Sequence, residues 1–282
     1  MPDPSTINRA GLDYWNNEAG RRWVAQQELI DSLFEPVTAA TIAAAAPRPG
    51  EHVVDVGCGT GTTVFALAER VGPRGNVLGI DISAPMLELA RQRAAHGQRA
   101  NVSFVEADAT GHAFDRESVD LVFSRFGVMF FDDSVKAFAN LRGATTPRGR
   151  LAFVCFRPMV ESPWYRIPIE AATPHLPPLP PIGPDAPGMF TFARKERLQG
   201  ILSEAGYRSI DMTPADVPIN ARTLDRALAF MTHVGRVADM LAAGSEERRQ
   251  TAEAAVRDAL AANIGADGDG LTIGVWLVSA GA

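Results

Sequence analysis

The chain has 282 residues, 46% of them hydrophobic and 21% charged, with a net charge of -6 and two cysteines. This is a soluble, globular composition, and its acidic balance argues against a nucleic-acid backbone or an anionic membrane as main partner, since both attract clustered Lys and Arg. Cys58 and Cys155 lack the spacing of a zinc site or a disulfide framework, no run approaches the ~18 apolar residues of a membrane span, and MPDPSTINRAG has no signal-peptide core, so the cytoplasm is the expected compartment.

Residues 1–50 read as helices, the clearest being the alanine-rich stretch 32–46, stopped by Pro47, Pro49 and Gly50. A strict alternation follows. HVVDV (52–56) reads as a strand, 60–71 as a helix closed by Gly72-Pro73, and NVLGI (76–80) as a strand. Ser83 is the expected cap of the next helix, with Pro85 in its first turn and Gly97 at its end. Strands are expected at 102–107, 119–124 and 150–156, with a helix at about 134–143. Strands that are apolar throughout and alternate with helices form a parallel sheet covered on both faces.

The pattern breaks between Pro158 and Pro187, which hold ten of the twenty prolines. A helix near 193–205 and a strand near 207–213 resume it. Leu224, Leu228, Met231, Val234, Ala238 and Leu241 make an apolar stripe on one helix. Another begins at Ser245, and LTIGVWLVSA (271–280) is a last strand, the seventh.

The stretch VVDVGCGTGTT (53–63) carries the chemistry. A Walker loop requires Lys and then Ser or Thr after its last glycine; Gly61 is followed by Thr62-Thr63. A dinucleotide loop requires glycine or alanine where Thr62 stands. Asp81 closes the second strand twenty residues after Gly61, where such a sheet presents a carboxylate to a ribose. Asp108 stands at the tip of the third strand. Three acids at three successive strand ends suit an uncharged nucleoside attached to a cation and would repel a pyrophosphate.

DVGCGTG (55–61), GIDIS (79–83), EADA (106–109) and FSRFGVMFF (123–131) together resemble the class I S-adenosylmethionine-dependent methyltransferases, most closely the small-molecule, ubiquinone/menaquinone-biosynthesis branch, over roughly residues 45–157. The resemblance implies S-adenosyl-L-methionine as cofactor and a doubly wound, mostly parallel α/β sheet of seven strands, the last antiparallel. It also implies that Asp81 takes the ribose hydroxyls, that Asp108 and the Ala109 amide take the adenine between Ile82 and Met86, and that the Gly57 and Ser124 carbonyls take the methionine ammonium. The resemblance further implies that Asp55 orders a loop that includes Gly59, Thr60 and Gly61.

One domain is expected over 1–282, with a helical cap at 1–47 and substrate-side insertions at 158–190 and 222–265. Their Pro, Leu, Met, Phe and Trp content points to a small, largely apolar organic acceptor methylated on carbon or oxygen. Trp164, His175, Met231 and His233 are expected to face it, with Arg125 and Phe126 beside the methyl donor. Arg125 would bind an acidic substrate group or pair with an acid such as Asp132. His175, His233 and Arg125 are the candidate catalytic groups, and a lone histidine is more often structural. Trp15 and Trp23 either close over the cofactor or anchor the amino-terminal helices. No metal is expected; a homodimer is compatible with the sequence. A non-catalytic nucleoside-binding protein and an NAD(P)-dependent oxidoreductase are the alternative readings.

Overall fold

A computed structural model describes residues 9–179, 187–264 and 270–282. The expected helical start at 1–8 and the parts of the two insertions at 180–186 and 265–269 lie outside them.

Seven strands form one sheet: β1 (His52–Val56), β2 (Asn76–Asp81), β3 (Val102–Glu106), β4 (Val119–Arg125), β5 (Thr145–Phe156), β6 (Arg208–Pro218) and β7 (Thr272–Gly281). Their order is β3-β2-β1-β4-β5-β7-β6. Only β7 is antiparallel, pairing β5 on one side and β6 on the other. Both β5 and β6 extend beyond the expected 150–156 and 207–213 because each continues along β7 or β4.

Side-chain alternation splits the core in two. Val53 and Phe123 point to the face covered by α4 (Glu35–Ala45), α5 (Thr62–Val71) and α6 (Ala84–His96). Val54, Val56 and Val122 point to the other, covered by α7 (Ser134–Ala144), α8 (Pro163–Ala172) and α9 (Lys195–Glu204). The sheet's order reverses at β1 and β4, and ligands of such sheets sit at the strand carboxyl ends near that switch.

Four local expectations are corrected. The helix expected at 32–46 is two, α3 (Gln27–Leu33) and α4, broken at Phe34, because Pro36 in the first turn of α4 has no N–H for α3 to continue through. The helix expected from 60 starts at Thr62, since Gly61 has φ +87°. The stripe from Leu224 to Leu241 spans α10 (Leu224–His233) and α11 (Arg236–Ala242), interrupted at Val234-Gly235. Ser83 occupies the N-cap of α6, but its hydroxyl makes no cap bond and donates to the Trp15 carbonyl at 2.8 Å.

Amino-terminal helices α1 (Arg9–Asn16) and α2 (Glu18–Ala25) lie against α6, while α12 (Glu246–Asn263) packs on α8. Among the described residues no helix is long and apolar enough to cross a membrane, and no His, Cys, Asp or Glu cluster could hold a metal ion.

Candidate functional site

The loop leaving β1 needs its glycines. Gly57 has φ +69° and Gly59 +54°, in the left-handed region costly for residues with a Cβ. A Cβ on Gly57 would stand 2.5 Å from the Gly127 Cα, so the exits of β1 and β4 touch here. A Cβ on Gly59 would meet only the Met86 Sδ, at 3.7 Å.

Acids surround this loop. Asp55 is fully buried; Oδ2 accepts from Thr63 Oγ1, while Oδ1 has no partner. Burial raises its carboxyl to about 7, opposed by the Thr63 bond and the charge of Arg125. Asp81 is 8% exposed and clasps the loop, accepting from the Gly59 N–H at 2.7 Å and the Ser83 N–H at 2.9 Å. Burial raises this carboxyl also, and the backbone donors pull it back. Asp108 Oδ1 accepts from the Thr110 N–H at 2.8 Å, and Oδ2 is buried with no partner. An unpaired buried acceptor costs about 1–3 kcal/mol, so Oδ2 is poised to accept a donor from outside the chain.

Beside them Met86 and Ala109 are buried and Ile82 is half-buried. Ser124 is buried at the end of β4; its hydroxyl donates to Val56 O at 2.8 Å and accepts from the Gly127 and Val128 N–H groups. It thereby ties the two strand exits together. Thr60 turns away from this centre: its carbonyl and hydroxyl accept from the Arg93 guanidinium at 2.7 and 3.2 Å.

Three groups that sequence reasoning missed brace the site. Arg93 on α6 also bonds Thr62 and the Asp31 carboxylate, and Asp31 accepts from Thr62 Oγ1 at 2.6 Å, so the outer side of the loop is strapped to α3. Asn16 bonds across the ribose-side turn: Oδ1 accepts from the Ala84 N–H at 2.8 Å and Nδ2 donates to Ile82 O at 2.8 Å. Asn140 donates to the Ala109 and His112 carbonyls, both at 2.8 Å. None of the three carried a sequence signal, because each bonds to residues remote along the chain.

Aromatic side chains continue the site. Trp15 sits edge-on to Trp23 (5.9 Å), Tyr14 (5.1 Å) and Phe130 (5.3 Å), so Trp23 is packed through Trp15 to the residues after β4. Phe126, just past Arg125, has φ +67°, a conformation that costs a non-glycine residue about 1–2 kcal/mol and that clusters at functional sites. Its ring stacks on Phe156 at 4.3 Å and meets Phe34 at 5.9 Å. Phe34 touches Phe230, and Phe230 touches Trp164. Trp164 is wholly buried with its Nε1 unpartnered, and Met231 is buried in the same cluster.

The histidines divide. His233, expected to face the acceptor, is exposed at the end of α10, where Nδ1 contacts Ala229 O at 2.8 Å and Thr232 Oγ1. The buried side of that helix is Ala227, Phe230 and Met231, which turns His233 outward. His175 is half-buried in a single 3-10 turn (Thr173–His175) that packs on α12. Arg125 is half-buried and donates to Thr38 Oγ1 at 2.8 Å instead of pairing with an acid.

Comparison with known proteins agrees with this geometry. A family model described as "Methyltransferase domain" matches residues 47–175. Aklanonic acid methyltransferase DauC of Streptomyces sp. (strain C5) is 38% identical over 149 residues, covering 53% of this chain and 59% of that one. Ubiquinone/menaquinone biosynthesis C-methyltransferase UbiE of Proteus mirabilis (strain HI4320) is 30% identical over 185 residues, covering 61% of this chain and 72% of that one. The chain spans about half the length of the first curated relatives it matches. A solved phosphoethanolamine N-methyltransferase 2 of Haemonchus contortus, in complex with S-adenosyl-L-methionine, shares the fold with a TM-score of 0.61 at 17% identity, covering 100% of this chain and 61% of that one.

Proposed function

Because this chain belongs to the class I S-adenosylmethionine-dependent methyltransferases, we propose that it transfers the methyl group of S-adenosyl-L-methionine to carbon or oxygen of a small, largely apolar organic acceptor. The observation that carries this reading is the set of acids at the tips of β1, β2 and β3, of which Asp108 Oδ2 is buried without a partner. When bound, the cofactor would supply a methyl on its sulfonium to the acceptor by in-line displacement, with S-adenosylhomocysteine as the leaving group and the acceptor's proton released to solvent or to a base.

Each residue then has a task. Asp81 accepts from the ribose hydroxyls, since each carboxylate oxygen can accept more than the one backbone N–H it now holds. Asp108 Oδ2 accepts from the adenine amine, with the Ala109 amide beside it and Ile82 and Met86 against the ring. Gly57 and Ser124 offer carbonyls to the methionine ammonium. Asp55, Gly59, Thr60 and Gly61 shape the loop, Thr60 through Arg93. Trp15 and Trp23 cover the strand ends and exclude water. The acceptor rests against Phe126 and the wall that runs to Trp164 and Met231, and alignment there can supply ~7–11 kcal/mol of the barrier. His233 is exposed at the end of α10 and His175 lies against α12, and both remain the candidate bases for an acceptor that does not ionise by itself.

On the same reading the chain works as one domain, in the cytoplasm, on a small molecule and without nucleic acid; a homodimer is the assembly to look for by solution mass. Incubation with methyl-labelled cofactor and a panel of phenols, quinones and aromatic acids tests the reading. Label in any small acceptor supports it. Cofactor binding without turnover on any of them would favour the non-catalytic alternative. The oxidoreductase alternative is weakened by Thr62, whose hydroxyl is committed to Asp31 where a dinucleotide loop needs a small residue.

A further inference from the structure

The aromatic contacts at the exits of β4 and β5 close on themselves. Phe126 meets Phe34 at 5.9 Å, Phe34 meets Phe230 at 5.6 Å, and Phe230 meets Trp164 at 5.7 Å. Tyr165, the next residue, leads back through Phe156 at 5.3 Å to Phe126 at 4.3 Å. Four of the six rings are phenylalanines, and none of the six is ionised at neutral pH. The circuit has two polar side-chain atoms, Trp164 Nε1 and the Tyr165 hydroxyl. Trp164 is wholly buried and its N–H has no partner. Tyr165 is buried as well, and burial lifts its phenol above the ordinary value, so it keeps its proton.

A buried N–H without a partner forfeits its hydrogen bond to water and destabilises the fold. Phenylalanine at 164, as at the other four positions, would give an apolar wall without that cost. An indole N–H can only donate, so what completes it carries lone pairs; an ammonium or an apolar face does not. The flat rings beside it suit a conjugated ring system. We propose that Trp164 is a specificity-determining residue of the acceptor site, its Nε1 donating to a carbonyl oxygen conjugated to the acceptor's ring, as in an aryl ketone or a quinone. This rests on the methyltransferase reading above, and it gives the largely apolar acceptor one oxygen at a fixed place. Because Trp164 is wholly buried, the acceptor reaches it by parting the circuit, and side-chain rotamer changes of this kind are common on binding.

Calorimetry with indanone and indane, two bicyclic molecules of nearly one shape that differ by a carbonyl oxygen, tests this on wild type and Trp164→Phe. The variant loses packing as well as the donor, but the packing loss falls on both probes and cancels in their ratio. The indanone-to-indane affinity ratio should be about 3- to 10-fold higher in wild type than in Trp164→Phe, the worth of one neutral hydrogen bond. Should the variant not fold, NMR of nitrogen-labelled wild type reads the same contact: the Trp164 indole N–H signal should move downfield with indanone and not with indane. Titration with S-adenosylhomocysteine in the same proteins keeps the two readings apart. Equal ratios, or an indole signal indifferent to the carbonyl, in a protein that binds S-adenosylhomocysteine overturn the assignment and leave the cofactor reading standing. A wild-type protein that binds no S-adenosylhomocysteine overturns the cofactor reading itself, and this proposal with it.

Discussion

Asn16→Ala should release the amino-terminal helices from the ribose-side turn. The side chain of Asn16 makes three bonds: Oδ1 accepts from the Ala84 N–H at 2.8 Å, and Nδ2 donates to Ile82 O at 2.8 Å and Leu12 O at 3.0 Å. Ala84 is the first residue of α6, whose N–H has no partner within its helix. The N-cap residue Ser83 does not replace it, because its hydroxyl is spent on Trp15. Asn16 is therefore an N-cap supplied from another helix. Loss of a cap costs about 1 kcal/mol, and loss of the hydrogen bond to Ile82 about another 1 kcal/mol. Loss of about 2 kcal/mol in all lowers Tm by about 3–4 °C if the chain unfolds as one unit. Because Ile82 follows Asp81 directly, S-adenosylhomocysteine affinity should fall by about tenfold. Hydrogen exchange should report faster exchange over residues 11–25 and 82–86, with β1 and α5 unchanged. Asn16→Asp keeps the acceptor for Ala84, places a negative charge at the helix start and loses only the donor, so it should recover about half of the effect. Exchange and affinity like wild type in Asn16→Ala would refute the reasoning.

Asp81→Ala should weaken S-adenosylhomocysteine by about 30- to 150-fold, from loss of about 2–3 kcal/mol of charge-assisted bonding; calorimetry that finds equal affinities would remove Asp81 from the ribose. Gly57→Ala and Gly59→Ala should both lose cofactor, but Gly57→Ala should unfold at the lower temperature, because its Cβ collides with Gly127 at 2.5 Å whereas that of Gly59 has room. Thermal melts that rank them the other way would contradict the loop geometry. Asp55 binds its proton more tightly folded than unfolded, with its value raised from 3.8 to about 7. The folded state therefore holds an extra proton between those limits, and this group withdraws stability as pH rises through that window and no further above it. Asp55→Asn still accepts from Thr63 and should flatten the fall in Tm between pH 4 and pH 7 seen in wild type; an unchanged pH profile would mean the carboxyl is not buried as described.

What the sequence disclosed and what it hid follow one physical line. The sheet was legible because β1, β2, β4 and β5 carry mostly apolar runs and each is followed by a helix, whereas β3 leads to β4 without one and β6 is largely exposed. Gly57, Asp81 and Asp108 were singled out because each lies at a strand end, where local order along the chain fixes position. Asn16 was not, because its partners Ile82 and Ala84 lie more than sixty residues away and nothing in YWNNEAG encodes them. Arg93 likewise reads as a solvated helix residue until Thr60 and Asp31 are seen beneath it. Periodicity misled at Val234-Gly235, where the apolar stripe survives although the helix does not, because α10 and α11 bury their sides in one cluster. His233 was singled out because its helix follows a strand whose end faces the pocket, and it stands exposed at the end of α10.

The central claim is that the β1 loop and the acids at the strand ends hold S-adenosyl-L-methionine. Titration of the wild-type protein with S-adenosylhomocysteine, and separately with NADH, tests it most directly. The account predicts one saturable site per chain for S-adenosylhomocysteine and none for NADH. Saturable NADH binding, or no heat with S-adenosylhomocysteine, would contradict it.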